Sequence, residues 1–123
     1  SYNSNPLSLK SAIKNFDKIN SKKSNKYLLI GDMLELGSHS KKLHQSIAPI
    51  INQTKINKVF VKGKMASIIF AGISKAKKGR ILLNKSQIIE LIRKDLNNND
   101  YLMIKASLAT GFNDIVKDLK GLH

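Results

Sequence analysis

The sequence predicts an α/β fold, a doubly wound and mostly parallel sheet with helices on both faces. Four short apolar runs, each bounded by polar residues or glycine, have the length and composition of buried strands. Between them lie segments whose apolar residues recur at helical spacing. Strands that alternate with helices in this way are typical of βαβ units, which place neighbouring strands in parallel. The 123 residues fit a single domain without an internal repeat or a long linker.

The predicted elements begin with a helix. Asn5 can cap its first free amides, and Pro6 suits its first turn because no N–H is needed there. The predicted strands cover 26–31, 58–61, 80–83 and 101–104, and the predicted helices cover 6–19, 40–51, 65–73, 86–96 and 112–119. Because a βα unit begins with a strand, we expect this chain to be a fragment of a larger protein that was cut just after one.

Two positions inside the helical segments carry specific expectations. Ser38 or Ser40 begins the second helix, and Pro49 lies inside its apolar pattern, so we expect Pro49 to kink or divide that helix. Ser86 is the predicted cap of the helix that follows the third strand.

The formal net charge of +14 favours a polyanionic partner such as nucleic acid. However, 20 of the 22 basic residues are lysines, and only Arg80 and Arg93 carry the guanidinium that suits bidentate recognition. The lysines are spread along the whole chain, and no aromatic residues alternate with them to stack bases. We therefore favour a solvated surface as the origin of the charge, with no specific nucleic-acid partner.

Several classes of protein are disfavoured by composition. The chain has no cysteine, which excludes disulfides and thiolate metal sites. Its three histidines, at 39, 44 and 123, lack a zinc-binding pattern, so we predict no metal site. No apolar run approaches the roughly 18 residues of a membrane span, and no signal peptide is recognisable. We expect a soluble protein of the cytoplasm.

Residues 28–37 form the stretch around which the chain is organised. An apolar run ends at Gly31, and Asp32 and Glu35 follow where a buried strand must turn into the next helix. In open α/β sheets this carboxyl end of the strands is where ligands bind. The pair Gly63-Lys64 follows another predicted strand, but it is not a P-loop, because a lysine stands where the first glycine is needed and a methionine stands where the hydroxyl is needed. We find no self-sufficient catalytic centre in this chain.

Three segments occur in a distinctive order. They are Tyr-Asn-Ser-Asn-Pro at 2–6, Gly-Asp-Met-Leu-Glu-Leu-Gly at 31–37 with His44 after it, and Ile-Lys-Ala-Ser at 104–107. Together they resemble the C-terminal domain of the Mur ligases, the ATP-dependent ligases of peptidoglycan synthesis, and the resemblance covers essentially the whole chain. Val-Lys-Gly at 61–63 is similar to a turn that this family has before a short helix.

The resemblance implies a Rossmann-like domain, the last of three, that binds substrate, closes the site and is inactive alone. It implies a ligase that adds D-alanyl-D-alanine to UDP-N-acetylmuramoyl-tripeptide, with roles in the cell wall, cell shape and cell division. ATP and Mg²⁺ would be bound mainly by a central domain, and the UDP-sugar by an N-terminal domain, both absent from this chain. The tripeptide carboxylate would be phosphorylated and then attacked by the dipeptide amine.

The resemblance also implies site residues. The residues near the nucleotide would be Tyr2, Asn3 and Asn5. The candidates for binding the dipeptide would be Asp32, Glu35, His44, Lys105 and Ser107. The family's Lys-Gly-Ser-Arg loop has Ala106 and Leu108 in place of its glycine and arginine here, which changes how a dipeptide carboxylate would be held.

Each dipeptide candidate also has a structural alternative. Asp32 is suited to a turn, and Ser107 can cap one. Glu35 and Lys105 can be solvated surface residues. His44 follows the apolar Leu43 at the edge of the helical stripe, so for this residue we favour a structural role.

Two other classes of function stay open at the level of sequence. The chain could be a free-standing basic α/β module that binds nucleic acid or another polyanion, and a steep salt dependence of oligonucleotide binding would favour that hypothesis. It could also be a purely structural or interaction domain, whose crevice residues would tolerate alanine.

Overall fold

The computed structural model describes residues 6–20, 22–33 and 39–106. In this part of the chain four strands form one sheet, and every neighbouring pair of strands is parallel. The order across the sheet is β3-β2-β1-β4. The strands are β1 (Lys26–Gly31), β2 (Lys58–Lys62), β3 (Lys78–Ile81) and β4 (Tyr101–Lys105). The predicted α/β class with a parallel sheet is therefore confirmed.

Helices connect the strands. They are α1 (Pro6–Asp17), α2 (Ser40–Gln45), α3 (Ile47–Asn52), α4 (Ala66–Gly72) and α5 (Lys85–Glu90). A 3₁₀ turn (Lys75–Lys77) precedes β3, and a π-helical turn (Leu91–Asp95) continues α5. The predicted cap at Asn5 and the predicted helix over 112–119 lie outside the described residues.

The alternation of side chains along the strands creates two hydrophobic layers. On one face, Leu28 and Ile30 of β1 join Val59 and Val61 of β2 in a core with α1, α3 and α4. On the other face, Leu29 and Phe60 pack with Leu82 and with the apolar side of α5 and its π turn. Since β1 contributes fully buried residues to both layers, it is the doubly covered strand that its continuous apolar run predicted.

The strand order creates a topological switch point beside β1. The chain proceeds outward from β1 to β2 and β3 and then returns past β1 to form β4 on its other side. In open α/β sheets, ligands bind outside the carboxyl ends of the strands at such a point. We call the space between residues 31–33, after β1, and residues 105–106, at the end of β4, the switch-point crevice.

Two predicted boundaries need correction. The third strand begins at Lys78, two residues before the predicted start at Arg80, and it ends at Ile81. Gly79 therefore lies inside the strand, where a Cβ atom would come within 2.6 Å of the Phe60 ring. The absence of a side chain at Gly79 lets β3 lie close against β2, which a sequence pattern based on apolar residues does not reveal.

The cap of α5 is the second correction. Ser86 is inside the helix, and Asn84 is the N-cap, whose side-chain oxygen accepts a hydrogen bond of 3.0 Å from the Gln87 N–H. Gln87 in return accepts a hydrogen bond from the Leu83 N–H. The extended backbone of Asn84 allows this geometry, whereas Ser86 already lies in the first turn of the helix.

Pro49 divides the second helical segment, as predicted. The chain forms α2 and α3 with a break at Ser46, because Pro49 has no N–H to donate to the carbonyl of Gln45, four residues earlier. The Ser46 hydroxyl donates to the carbonyl of Leu43 at 2.6 Å, which satisfies one acceptor next to the break.

Three lysines act as internal hydrogen-bond donors at the amino edge of the sheet. The Lys26 side chain is 3% exposed, and its Nζ donates to the carbonyl oxygen of Asp17 at 2.6 Å. Lys77 Nζ donates to the carbonyl oxygens of Thr54 and Ile56 at 2.7 and 2.8 Å. Lys58 Nζ donates to the Ala76 carbonyl at 3.0 Å. Asp17 ends α1, so the Lys26 ammonium also offsets the negative end of that helix.

Replacing Lys26 by Met removes this ammonium but keeps an unbranched side chain in the buried position. We expect the free energy of unfolding to fall by about 1–3 kcal/mol, because a partly buried acceptor loses its donor. Lys41, which is exposed on α2, provides the control, and Lys41→Met should change the value by less than about 0.5 kcal/mol. Urea unfolding at neutral pH gives the free energy of unfolding of both variants. A Lys26→Met variant as stable as the parent would show that the ammonium contributes nothing.

Alanine substitutions distinguish the two possible caps of α5. Asn84→Ala should cost about 1 kcal/mol in the free energy of unfolding, since the Gln87 N–H loses its acceptor. Ser86→Ala should change this free energy by a few tenths of a kcal/mol at most, because Ser86 is exposed within the first turn. The same urea titration compares them. A larger loss for Ser86→Ala would restore the cap predicted from the sequence.

Candidate functional site

Asp32 is the first residue after β1, and its carboxylate ties the exit of that strand to helix α4. Its Oδ1 atom accepts a hydrogen bond of 2.7 Å from the Ala66 N–H, at the beginning of α4. The side chain is half-buried. An acceptor at this position satisfies one of the amides that a helix start leaves without an intrahelical partner. The prediction that Asp32 lies at the carboxyl edge of the sheet is confirmed, but its carboxylate is already used within the protein.

Gly63, in the turn between β2 and α4, makes this contact possible. Its φ angle is +118°, a backbone conformation that residues with a Cβ atom rarely adopt. A Cβ atom there would also lie within 2.6 Å of the carboxyl carbon of Asp32. The turn and the carboxylate therefore fit together only because residue 63 has no side chain.

His44 lies on α2 and is fully buried. Its Nδ1 atom is 2.8 Å from the carbonyl oxygen of Ser40, and since a carbonyl only accepts, Nδ1–H must be the donor. In the neutral ring Nε2 is then an acceptor, and it receives the N–H of Met33 at 3.4 Å. Both ring nitrogens thus have partners within the protein. The geometry favours the structural alternative for His44, and a contact with a dipeptide stays a prediction.

Lys105 ends β4 at the switch-point crevice. It pairs in register with Ile30, one residue before the end of β1, and its side chain is half-buried. Strand alternation places Lys105 on the same face of the sheet as Met103, which packs against the α1, α3 and α4 layer. On the other side of β1, Lys62 pairs with Gly31. The exit of β1 therefore lies between two strands that each end in a lysine.

The remaining site predictions fall on residues that the structure does not describe. They are Tyr2, Asn3, Asn5, Glu35 and Ser107. The roles assigned to them stay predictions.

The described residues do not provide a phosphate site of the P-loop type. The turn after β2 would have to present free amides to a phosphate, but the Ala66 N–H at the start of α4 is already bonded to the Asp32 carboxylate. Within residues 6–20, 22–33 and 39–106, no group of three histidine or carboxylate side chains is placed to hold a metal ion. The turn after β2 in this part of the chain therefore lacks the free amides of a phosphate cradle. The same residues contain no helix that is both long and apolar enough to cross a bilayer.

Sequence reasoning missed the partners of the candidate residues. It selected Asp32 and His44 as candidates. It did not predict that Asp32 contacts Ala66 and Gly63, or that His44 contacts Met33. The only signal was Val-Lys-Gly at 61–63, a glycine directly after a strand. The partners themselves are backbone groups up to 34 residues away, which no sequence pattern identifies.

Comparisons with known proteins agree with this fold and with the sequence motifs. The family described as Mur ligase, glutamate ligase domain, matches residues 1–108. The UDP-N-acetylmuramoyl-tripeptide–D-alanyl-D-alanine ligase of Bacillus subtilis is 32% identical over 121 residues, which cover 96% of this chain and 26% of that protein. The ligase of the same name from Buchnera aphidicola is 34% identical over 120 residues, which cover 96% of this chain and 25% of that protein.

Solved structures show the same fold. MurF ligase from Thermotoga maritima, solved in complex with ADP, superposes with a TM-score of 0.77 at 22% identity, covering 95% of this chain and 26% of that one. MurF from Acinetobacter baumannii superposes with a TM-score of 0.76 at 23% identity, covering 97% of this chain and 26% of that one. The chain thus spans about a quarter of the length of these proteins. Since the family match extends over 108 of the 123 residues, the chain belongs to the Mur ligase, glutamate ligase domain, family.

Proposed function

We propose that this chain is the C-terminal, substrate-binding and site-closing domain of an ATP-dependent ligase that adds D-alanyl-D-alanine to UDP-N-acetylmuramoyl-tripeptide in peptidoglycan synthesis. The observation that carries the proposal is the family match over residues 1–108. Curated relatives that bear the name of this reaction align over 96% of the chain, which supports the choice of substrates. The proposed location is the cytoplasm.

The crevice geometry supports a role in binding the dipeptide. An incoming dipeptide carries a carboxylate and an ammonium group, and a lysine at the end of β4 suits the carboxylate. Lys105 is half-buried at the switch point, so part of its surroundings is protein rather than water. Electrostatic attraction there is stronger than at a fully solvated lysine.

The proposal assigns ATP and Mg²⁺ mainly to the part of the ligase outside this chain, because the described residues contain no P-loop turn and no cluster of three metal-ligating side chains. When bound there, ATP would supply the phosphoryl group that activates the tripeptide carboxylate as an acyl phosphate, and ADP would be released. This domain would orient the dipeptide so that its amine meets that carboxylate, which lowers the entropic cost of the encounter. Its N-terminal residues Tyr2, Asn3 and Asn5 are proposed to lie near the nucleotide in the closed enzyme.

Because this chain lacks a phosphate-cradling turn in its described part, we expect the purified 123-residue chain to hydrolyse no ATP and to form no acyl phosphate. Both activities can be measured as the release of phosphate from ATP in the presence of the tripeptide and dipeptide substrates. The full-length ligase under the same conditions is the positive control. Turnover by the isolated chain above a mock preparation would contradict the proposal that ATP is bound by the part of the ligase outside this chain.

In the full-length ligase, Lys105→Ala should raise the dipeptide KM by roughly ten- to a hundredfold and leave the KM for ATP little changed. The reason is the loss of a charge-assisted hydrogen bond, which is worth about 1.5–3 kcal/mol. Ser107→Ala should act in the same direction. Lys55, exposed just before β2 at the opposite edge of the sheet, is the control for the change in net charge.

Steady-state kinetics on variants with unchanged melting temperatures measure these effects. If Lys55→Ala raises the dipeptide KM as much as Lys105→Ala does, the effect is one of overall charge. If Lys105→Ala keeps the parent's KM and kcat, Lys105 is an ordinary surface residue.

A further inference from the structure

Asp32, at the switch-point crevice, and His44, buried on α2, are both bonded to groups of the protein rather than directed at open space. Asp32 accepts the Ala66 N–H, and His44 accepts the N–H of Met33. Asp32 and Met33 are consecutive and are the first two residues after β1. The chain leaving β1 is therefore held at one residue by α4 and at the next by α2.

The two attachments of the chain after β1 are the hydrogen bonds at Asp32 and at Met33. They differ in which group donates, and a second contact supports each of them. At Asp32 the side chain reaches out to a backbone amide, and Gly63 leaves the space in which the carboxylate lies. At Met33 the backbone amide is the donor, and the imidazole that accepts it is held by the Ser40 carbonyl on its other nitrogen. The Met33 side chain is 1% exposed and is part of the hydrophobic core.

We propose that Asp32 and His44 are positioning residues, which set the direction of the chain as it leaves β1 and act on the dipeptide only through that chain. The proposal rests on the proposed function. It departs from the reading of these two residues as dipeptide contacts. A contact for the dipeptide ammonium would depend on the negative charge of Asp32. A positioning residue depends instead on a neutral property, namely an acceptor oxygen within reach of Ala66 N–H.

The substitution Asp32→Asn separates these two properties. The amide side chain has nearly the same shape and retains an oxygen that can accept the Ala66 N–H, but it has no charge. Asp32→Ala removes both the acceptor and the charge. We expect Asp32→Asn to keep kcat/KM for the dipeptide within about threefold of the parent, and Asp32→Ala to lower it by tenfold or more, since small displacements of a site can cost up to about a hundredfold in rate. Equal losses in the two variants would overturn the proposal and make the carboxylate charge the relevant feature.

Gly63→Ala tests the same attachment without changing any polar group. Its Cβ atom would displace the Asp32 carboxylate from Ala66 and would strain the backbone at φ +118°, so it should lower kcat/KM at least as much as Asp32→Ala does. The double variant with Asp32→Ala and Gly63→Ala should have a kcat/KM no lower than that of the more impaired single variant, because both changes break the same contact. Additive losses would contradict a shared mechanism.

His44→Gln and His44→Leu provide a parallel pair. The glutamine side chain can offer an oxygen to Met33 N–H, whereas leucine cannot. We expect Gln to recover most of the kcat/KM that Leu loses. His39→Leu is the matched control, because His39 is exposed and its side chain makes no cap hydrogen bond. If Gln and Leu are equally impaired, the Met33 attachment does not matter for the reaction.

A second readout does not depend on ligase activity. Amide hydrogen exchange, followed by NMR on the 123-residue chain, should accelerate at Ala66 in Asp32→Ala and at Met33 in His44→Leu, by tenfold or more in each case. Asp32→Asn and His44→Gln should keep the protection of the parent. If exchange behaves in this way while the full-length protein fails to join the dipeptide, the proposed function is wrong and the attachments stand. If exchange is unchanged in Asp32→Ala and His44→Leu, the attachments themselves are wrong.

Discussion

The hydrogen bond between the Ala66 N–H and the Asp32 carboxylate is the interaction on which the geometry of the carboxyl edge depends. It joins the exits of β1 and β2, the two strands at the centre of the sheet. It needs a glycine at 63, because a Cβ atom there would occupy the space of the carboxylate. A single contact thus links a strand end, a left-handed turn and a helix start. It also makes the turn after β2 unsuitable for a phosphate, since the position that an anion would take is filled by the protein's own carboxylate.

The lysines of this chain belong to two populations that composition does not distinguish. Lys26, Lys58 and Lys77 donate to backbone carbonyl oxygens at the amino edge of the sheet and so replace water as partners of those groups. Lys105 and Lys62 instead end their strands at the carboxyl edge. Part of the positive charge is therefore structural, which agrees with a charge that does not serve as a footprint for nucleic acid. The polyanion-binding alternative itself stays a prediction.

Much of the architecture followed from local patterns. The apolar runs predicted β1, β2 and β4 to within one residue at each end, because burial on both faces requires an uninterrupted apolar sequence. The pattern failed at β3 and at the cap of α5. Gly79 lies within β3, where its lack of a side chain avoids a clash with the Phe60 ring. Asn84 caps α5 through a local hydrogen bond with Gln87, although Ser86 is also a good capping residue. At the site, the position of Asp32 was predictable from its place after β1. Its partner was not, because Ala66 contributes only a backbone amide at the start of α4, 34 residues further along.

The order of the strands has a consequence for the synthesis of the protein on the ribosome. β1 leaves the ribosome before the other strands of this sheet, but its neighbour β4 follows it only after about 70 residues. The Asn25 N–H, which bonds to Asp100, stays without this partner for a similar time. At roughly 5–20 residues per second, one edge of the most apolar strand stays without its neighbour for several seconds of synthesis. An unpaired apolar edge is a template for association with other chains. Nascent chains of this domain should therefore be clients of the chaperones that meet polypeptides near the exit tunnel, most of all when translation pauses between β3 and β4.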